Sequence, residues 1–185
     1  LTANPDGSST LKATFTCSSP SDGSTLSGSL SVTFTLGSPT LLFDYRDLKI
    51  VKGTQSWTVN GSKRIVWNVA ASQAAVTTPT PLTVSFLDTA DATQTKTLSY
   101  GCSLVADWGT AGRYKLWGTF SFQSGNETPL NGTCLPSSPM TWMAGCCYPI
   151  SGLLTLSQGP AQADLTFGPG CGGLLVGGPG QGNVA

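Results

Sequence analysis

Ser29-Leu30-Ser31-Val32-Thr33-Phe34-Thr35-Leu36 alternates without a break, with Leu30, Val32, Phe34 and Leu36 on one side and Ser29, Ser31, Thr33 and Thr35 on the other. A period of two with a hydroxyl-bearing outer side is the signature of a half-buried antiparallel strand. The same reading holds upstream, where Leu11, Ala13, Phe15 and Cys17 alternate with Lys12, Thr14 and Thr16. It holds again for Leu82, Val84 and Phe86, for Leu98, Tyr100 and Cys102, for Leu154 and Leu156, and for Ala163, Leu165 and Phe167. The only helix-tolerant stretch is Val69 to Val76, with Ala70, Ala71, Ala74 and Ala75, and it is too short for more than a turn or two. With 23 Gly and 12 Pro in 185 residues, turns are plentiful.

Two hairpins follow from turn chemistry. Asn60-Gly61 suits a type I′ turn, because both central residues then need positive φ. That turn pairs Val59 with Ser62 and Trp57 with Arg64, the latter a structural cation–π contact, and sets Trp67 across from Thr54. At the other end of the chain, a turn around Gly159-Pro160 sets Leu154 opposite Leu165. A loose similarity links Leu26-Ser27-Gly28, Leu116-Trp117-Gly118 and Ile150-Ser151-Gly152, each followed by an alternating run, and the shared glycine reads as a bulge or bend where the strand starts. Together these features predict an all-β fold of antiparallel hairpins, forming a sandwich, an open barrel or an elongated twisted sheet, pinned by disulfides. About ten strands fit the spacing of turns. Length favours a single β-rich domain over residues 1-185, with 110-115 as the place for a subdivision if there is one.

Composition excludes several functions. Lys+Arg and Asp+Glu balance at 9 each, so the chain carries no basic footprint for nucleic acid and no polybasic patch for a membrane surface. No histidine is present, which removes His-based triads, His metal sites and His acid–base chemistry. No apolar run reaches transmembrane length. The six cysteines, Cys17, Cys102, Cys134, Cys146, Cys147 and Cys171, form an even set in a Ser/Thr-rich chain and read as disulfide candidates of an oxidising compartment. Cys146 and Cys147 are adjacent and point to opposite faces of an extended segment, so they bond different partners. The expected pairing joins Cys17 to Cys102 and leaves Cys134, Cys146, Cys147 and Cys171 to pair among themselves.

Leu26 to Phe34, Leu42-Phe43-Asp44-Tyr45, and the run Cys146-Cys147-Tyr148-Pro149-Ile150-Ser151-Gly152 with Leu165-Thr166-Phe167-Gly168-Pro169-Gly170-Cys171-Gly172 resemble uncharacterised exported bacterial β-rich proteins, often lipoproteins. The resemblance covers about a third of the chain. It implies extended antiparallel structure and an exported location in the periplasm, at the outer membrane surface or outside the cell; it transfers no activity. The second cysteine of Cys146-Cys147 departs from that pattern.

Groups that carry chemistry are sparse. Asp44-Tyr45-Arg46-Asp47-Leu48-Lys49 brings two carboxylates near a tyrosine, yet successive strand residues cannot aim both at one point, and a solvated charge cluster on an edge strand is the simpler reading. In that reading Asp44 and Arg46 share one face and Tyr45, Asp47 and Lys49 the other. Asp88-Thr89-Ala90-Asp91 lacks the glycine and distal glutamate of a calcium loop and reads as a turn. No Gly-x-Ser-x-Gly elbow and no phosphate loop occurs, and the cysteines lack a histidine base. Trp57, Trp67 and Trp117 are the candidate binding aromatics. The expectation is a non-enzymatic exported structural or surface-interaction protein of a bacterial cell envelope, without cofactor or metal, whose partner is an envelope protein, a glycan or a lipid. A periplasmic carrier of an apolar ligand and a carbohydrate-binding module are the alternatives.

Overall fold

The computed structural model describes residues 1–18, 23–87 and 95–178. Thirteen strands account for its regular structure: β1 (Thr2–Ala3), β2 (Ser9–Ser18), β3 (Thr25–Phe34), β4 (Thr40–Lys52), β5 (Gln55–Asn68), β6 (Gln73–Leu87), β7 (Thr95–Asp107), β8 (Arg113–Ser124), β9 (Leu130–Cys134), β10 (Met140–Met143), β11 (Gly152–Gln158), β12 (Ala161–Phe167) and β13 (Leu174–Gly177). They form one antiparallel sheet that does not close into a barrel, and the described residues hold no helix. The order is sequential from β1 to β9, then β11, β12 and β13, with β10 laid against β8. A chain of short turns between long alternating strands has no need of crossovers. The Asp88-Thr89-Ala90-Asp91 turn lies outside the described residues.

The chain clusters into two compact units. The first comprises Leu1–Val66, Thr77–Gly101 and Gln123–Glu127. Within it the registers of β2 to β5 define two faces. On one face five cross-strand rows run Ser9–Phe34–Leu41–Ile65, Leu11–Val32–Phe43–Lys63, Ala13–Leu30–Tyr45–Gly61, Phe15–Gly28 continued by Leu48–Val59, and Cys17–Leu26–Ile50–Trp57. On the other face the rows are Thr10–Thr33–Leu42–Arg64, Lys12–Ser31–Asp44–Ser62, Thr14–Ser29–Arg46, Thr16–Ser27–Lys49–Thr58 and Ser18–Thr25–Val51–Ser56. One face is almost wholly apolar and the other mostly hydroxylic or charged, with Leu42 and Val51 as its apolar residues.

A bulge keeps the apolar face continuous. The register shifts between Ser27 and Ser29 on β3 and between Tyr45 and Leu48 on β4. Asp47 is the extra residue, in the left-handed region at φ 48°. Its insertion moves the apolar face from the odd positions Leu41, Phe43 and Tyr45 to the even positions Leu48 and Ile50. Asn60 secures it: its side-chain oxygen accepts the Asp47 backbone N–H at 2.7 Å, and its side-chain amide donates to Asp47 Oδ1 at 3.2 Å.

Asn60-Gly61 is therefore not a hairpin turn. β5 runs straight through it, and the turn before β5 is Gly53-Thr54, with Lys52 opposite Gln55. Trp57 faces Ile50 and Arg64 faces Leu42, so the Trp57–Arg64 pair and the Trp67–Thr54 register do not form. Gly61 has φ 117° for a different reason: a side chain there would run into the Pro81 carbonyl and Leu82 Cα of β6. Gly28, Gly118 and Gly152 are built the same way, with φ of 94°, 124° and 128° and the backbones of Asp47-Leu48, Ser103-Leu104 and Pro139-Met140 pressed against them. The three related segments read from the sequence are thus copies of one device, and Val59-Asn60-Gly61 is a fourth. Two smaller expectations also change. Leu36 lies beyond the end of β3 and is exposed, and Val69 to Ser72 is a turn leading into β6.

The second unit comprises Trp67–Val76, Cys102–Phe122 and Thr128–Ala185. Its core is Cys134, Met140 and Leu154, packed by Leu116, Trp117, Phe120, Trp142, Leu156, Leu165 and Phe167. Leu154 pairs with Leu165 as expected, and Gln158 pairs with Ala161 around a two-residue Gly159-Pro160 turn. β9 and β10 pair in succession along β8, Gly118 with Cys134 and Leu116 with Met140, so two strand segments share one partner strand. The Phe120 ring lies across its partner Gly132, occupying the space a side chain would need.

Candidate functional site

The sequence-predicted residues are placed as follows. Trp57 sits at the end of the apolar row Cys17–Leu26–Ile50–Trp57 in the first unit. Trp67 and Trp117 belong to the second unit, Trp67 half-buried at the end of β5 and Trp117 packed against the core. Trp117 is half-buried, with part of its surface spent on packing against the core.

The cysteines separate by environment. Cys146 and Cys171 form a disulfide with Cα atoms 5.8 Å apart, tying the loop before β11 to the loop after β12. One bond falls inside the group Cys134, Cys146, Cys147 and Cys171 as expected, but the second does not form: Cys134 and Cys147 are free thiols, so Cys147 has no disulfide partner of its own. The Cys17–Cys102 bond does not form. Cys17 lies on β2 and is exposed, whereas Cys102 lies on β7 and turns its thiol to the Val76 carbonyl at 3.8 Å. β3 to β6 stand between those strands in the sheet order, whereas a disulfide needs Cα atoms within about 7 Å. Cys134 is buried, and burial pushes its thiol pKa up, against the Met140 N–H that it accepts at 3.3 Å. A buried thiol held protonated is inert. Cys147 is exposed beside the disulfide.

The charged segment of β4 does not assemble a reactive pair. Arg46 Nε donates to Asp44 Oδ2 at 2.7 Å on the polar face, while Asp47, displaced by the bulge, is held by Asn60. Asp44 and Arg46 do share a face; Lys49 joins them there because the bulge switches the parity. β4 lies between β3 and β5, so the cluster is on an interior strand rather than an edge.

The polar face of the first unit carries a cleft of about 340 Å³ lined by Asp6, Ser8, Thr33, Thr35, Thr40 and Arg64, with Phe34, Leu42 and Val66. A hydroxyl network braces one side of it. Asn4 donates to Ser8 Oγ at 2.8 Å and to Thr10 Oγ1 at 2.9 Å, and Thr10 bonds Thr33 at 2.9 Å. The Ser8 hydroxyl donates to Asp6 Oδ1 at 2.7 Å, and the Ser8 backbone N–H donates to the same oxygen at 3.0 Å. These bonds, the hydroxyl first, hold the Asp6 carboxyl below the usual aspartate pKa. In the second unit Asp107 is lowered likewise, by the Gln73 amide first and then the Gly109 N–H. Both acids stay ionised and accept structural hydrogen bonds, the role of turn and strand anchors rather than of proton donors. A second, apolar cleft of about 220 Å³ lies among Leu130, Leu156, Ala161 and Ala163 in the second unit. Among the described residues no three Cys, Asp or Glu side chains gather as a metal site requires, and no helix is long and apolar enough to cross a membrane.

The feature that the sequence reading missed is the apolar face itself. Its signal is present: apolar residues at 41, 43 and 45 resume at 48 and 50, a step of three in a run of twos. That step marks the bulge and joins Leu48, Ile50 and Trp57 to Leu30 and Val32 on one surface. No protein-family model, no curated protein and no solved structure matches the chain.

Proposed function

We propose that this chain is a non-enzymatic exported structural or surface-interaction protein of a bacterial cell envelope. The observation that carries the reading is the open apolar face of β2 to β5: Leu11 and Ile50 on it are 52% and 44% exposed, and none of its residues is buried. An amphipathic sheet face none of whose described residues is buried leaves part of its hydrophobic driving force unused, and a contact with another molecule supplies it. The Cys146–Cys171 disulfide is compatible with an oxidising exported location.

The carrier reading draws on the apolar cleft in the second unit, but 220 Å³ falls below the usual range of small-molecule pockets. The carbohydrate reading is weakened at Trp117, which spends part of its surface on core packing. Native mass spectrometry on protein purified without reductant from an oxidising compartment tests the proposal. The expected species contain protein alone, as single chains or assemblies. A stoichiometric adduct of lipid size overturns it in favour of the carrier.

A further inference from the structure

We infer that the apolar face of β2 to β5 is a self-association surface, on which a second copy of this chain packs face to face to complete a two-layer sandwich. The inference rests on the interaction reading and names its partner.

The five rows from Ser9–Phe34–Leu41–Ile65 to Cys17–Leu26–Ile50–Trp57 carry Leu11, Phe15, Leu26, Leu30, Val32, Phe34, Leu41, Phe43, Leu48, Ile50, Trp57, Val59 and Ile65, with Lys63 as their one charged residue. At strand spacings of about 4.8 Å and rises of about 3.4 Å per residue, the patch measures roughly 30 Å by roughly 19 Å. That is close to 600 Å² in plan, at the top of what a monomer usually leaves open, and near the area of about 800 Å² that each partner gives to a standard interface.

The cleft lined by Thr33, Leu42 and Arg64 belongs to the opposite, polar face. An array of Leu, Val, Ile and Phe on one side of a sheet has the composition of the inner face of a β-sandwich, where two such arrays interdigitate about 10 Å apart. A second copy brings an identical array, so a twofold arrangement is self-complementary. The chain has formal net charge +0; the cations Lys12, Arg46, Lys49 and Arg64 lie on the polar face, and Lys63 is the one charge on the apolar face that a second copy has to accommodate. A membrane surface calls for a belt of cations around the apolar face, whereas this face carries Lys63 as its one charged residue.

Sedimentation velocity and native mass spectrometry over a wide concentration range test this. The expected species has twice the 19.0 kDa mass of one chain. Val32→Lys and Phe43→Lys, cross-strand neighbours on the two central strands of the face, each add a second cation to the row that carries Lys63 and weaken the dimer at least about a hundredfold. Ser31→Lys, one residue away but on the polar face, leaves the dimer intact. Circular dichroism checks that each variant is folded; if the face variants do not fold, the wild-type measurement decides. A wild-type chain that stays monomeric at every concentration overturns the inference and leaves the interaction reading standing. A dimer unaffected by folded Val32→Lys and Phe43→Lys also overturns it. A stoichiometric lipid-sized adduct overturns both readings.

Discussion

The two units use the same alternating strands and finish them differently. All four buried apolar side chains among the described residues, Ala74, Cys134, Met140 and Leu154, belong to the second unit; the first has none. Yet the first unit is as rich in face-forming apolar residues, from Leu11 to Ile65. In the second unit β9 and β10 both pair with β8, Phe120 lies over Gly132, and a disulfide joins the flanking loops. In the first unit β2 to β5 lie side by side, and none of the described residues on their apolar face is buried. Alternation therefore determines which residues share a face. Burial depends on what packs against that face, and in the first unit the proposed second copy takes the part played by local packing in the second.

The strongest way to break this comparison is to attack the device that both units share. Gly28 and Gly118 both have positive φ and both press on the backbone of the neighbouring strand. A valine at either position meets strain in the left-handed region together with a collision against a carbonyl that cannot move away like a side chain. The expected loss is at least about 3 kcal/mol. Chemical denaturation checks it, and hydrogen exchange shows where the loss falls. Gly118→Val is expected to lower protection first in the strands around Cys134 and Met140, and Gly28→Val first in β3 and β4. A uniform loss from either variant means that the two units fold as one cooperative block.

Next in size is the disulfide. Closing a loop of 25 residues between Cys146 and Cys171 restricts the unfolded chain by about 3 kcal/mol. Cys146→Ser is expected to destabilise the second unit by that order and to leave amide exchange in β2 to β5 unchanged. Equal loss of protection in β2 to β5 contradicts the assignment of the strap to the second unit alone.

How much of this was legible in the sequence follows from the same residues. The strands at Leu30 to Phe34 and Leu154 to Leu156, the Leu154–Leu165 pair and the bend at Gly28 are local features, set by a period of two and by a glycine. Asn60-Gly61 misled because the dipeptide satisfies two conformations. A type I′ turn needs it, but so does a strand in which Asn60 holds the Asp47 bulge and Gly61 admits the Pro81 backbone. Only the pairing of β5 with both β4 and β6 separates the two, and that is a non-local fact. The Cys17–Cys102 pairing failed for the same reason, since matching strand-end positions says nothing about how many strands intervene. The apolar face was half legible: Leu11 to Phe15 and Leu30 to Phe34 were plain, but joining Leu48 and Ile50 to them required the step from Tyr45 to Leu48 to be read as a bulge.

The smallest effect sharpens the contrast at the turn between β1 and β2. Asp6 is fully exposed, yet its carboxyl is held below the usual aspartate value by the Ser8 hydroxyl and then by the Ser8 N–H. A lowered folded-state pKa means that the stabilisation is complete above the ordinary carboxylate range and fades as pH falls through the lower folded value. A carbon-detected NMR titration of Asp6 is therefore expected to show a midpoint below that of an unperturbed aspartate. Ser8→Ala removes the larger contribution and leaves the backbone N–H, so the midpoint moves up part of the way. The buried Ser8 hydroxyl also accepts from Asn4, which reaches Thr10 and through it Thr33 on the polar face. If the midpoint does not move, the turn is held by its backbone bonds alone, and the hydroxyl network braces the polar face without reaching the acid at its rim.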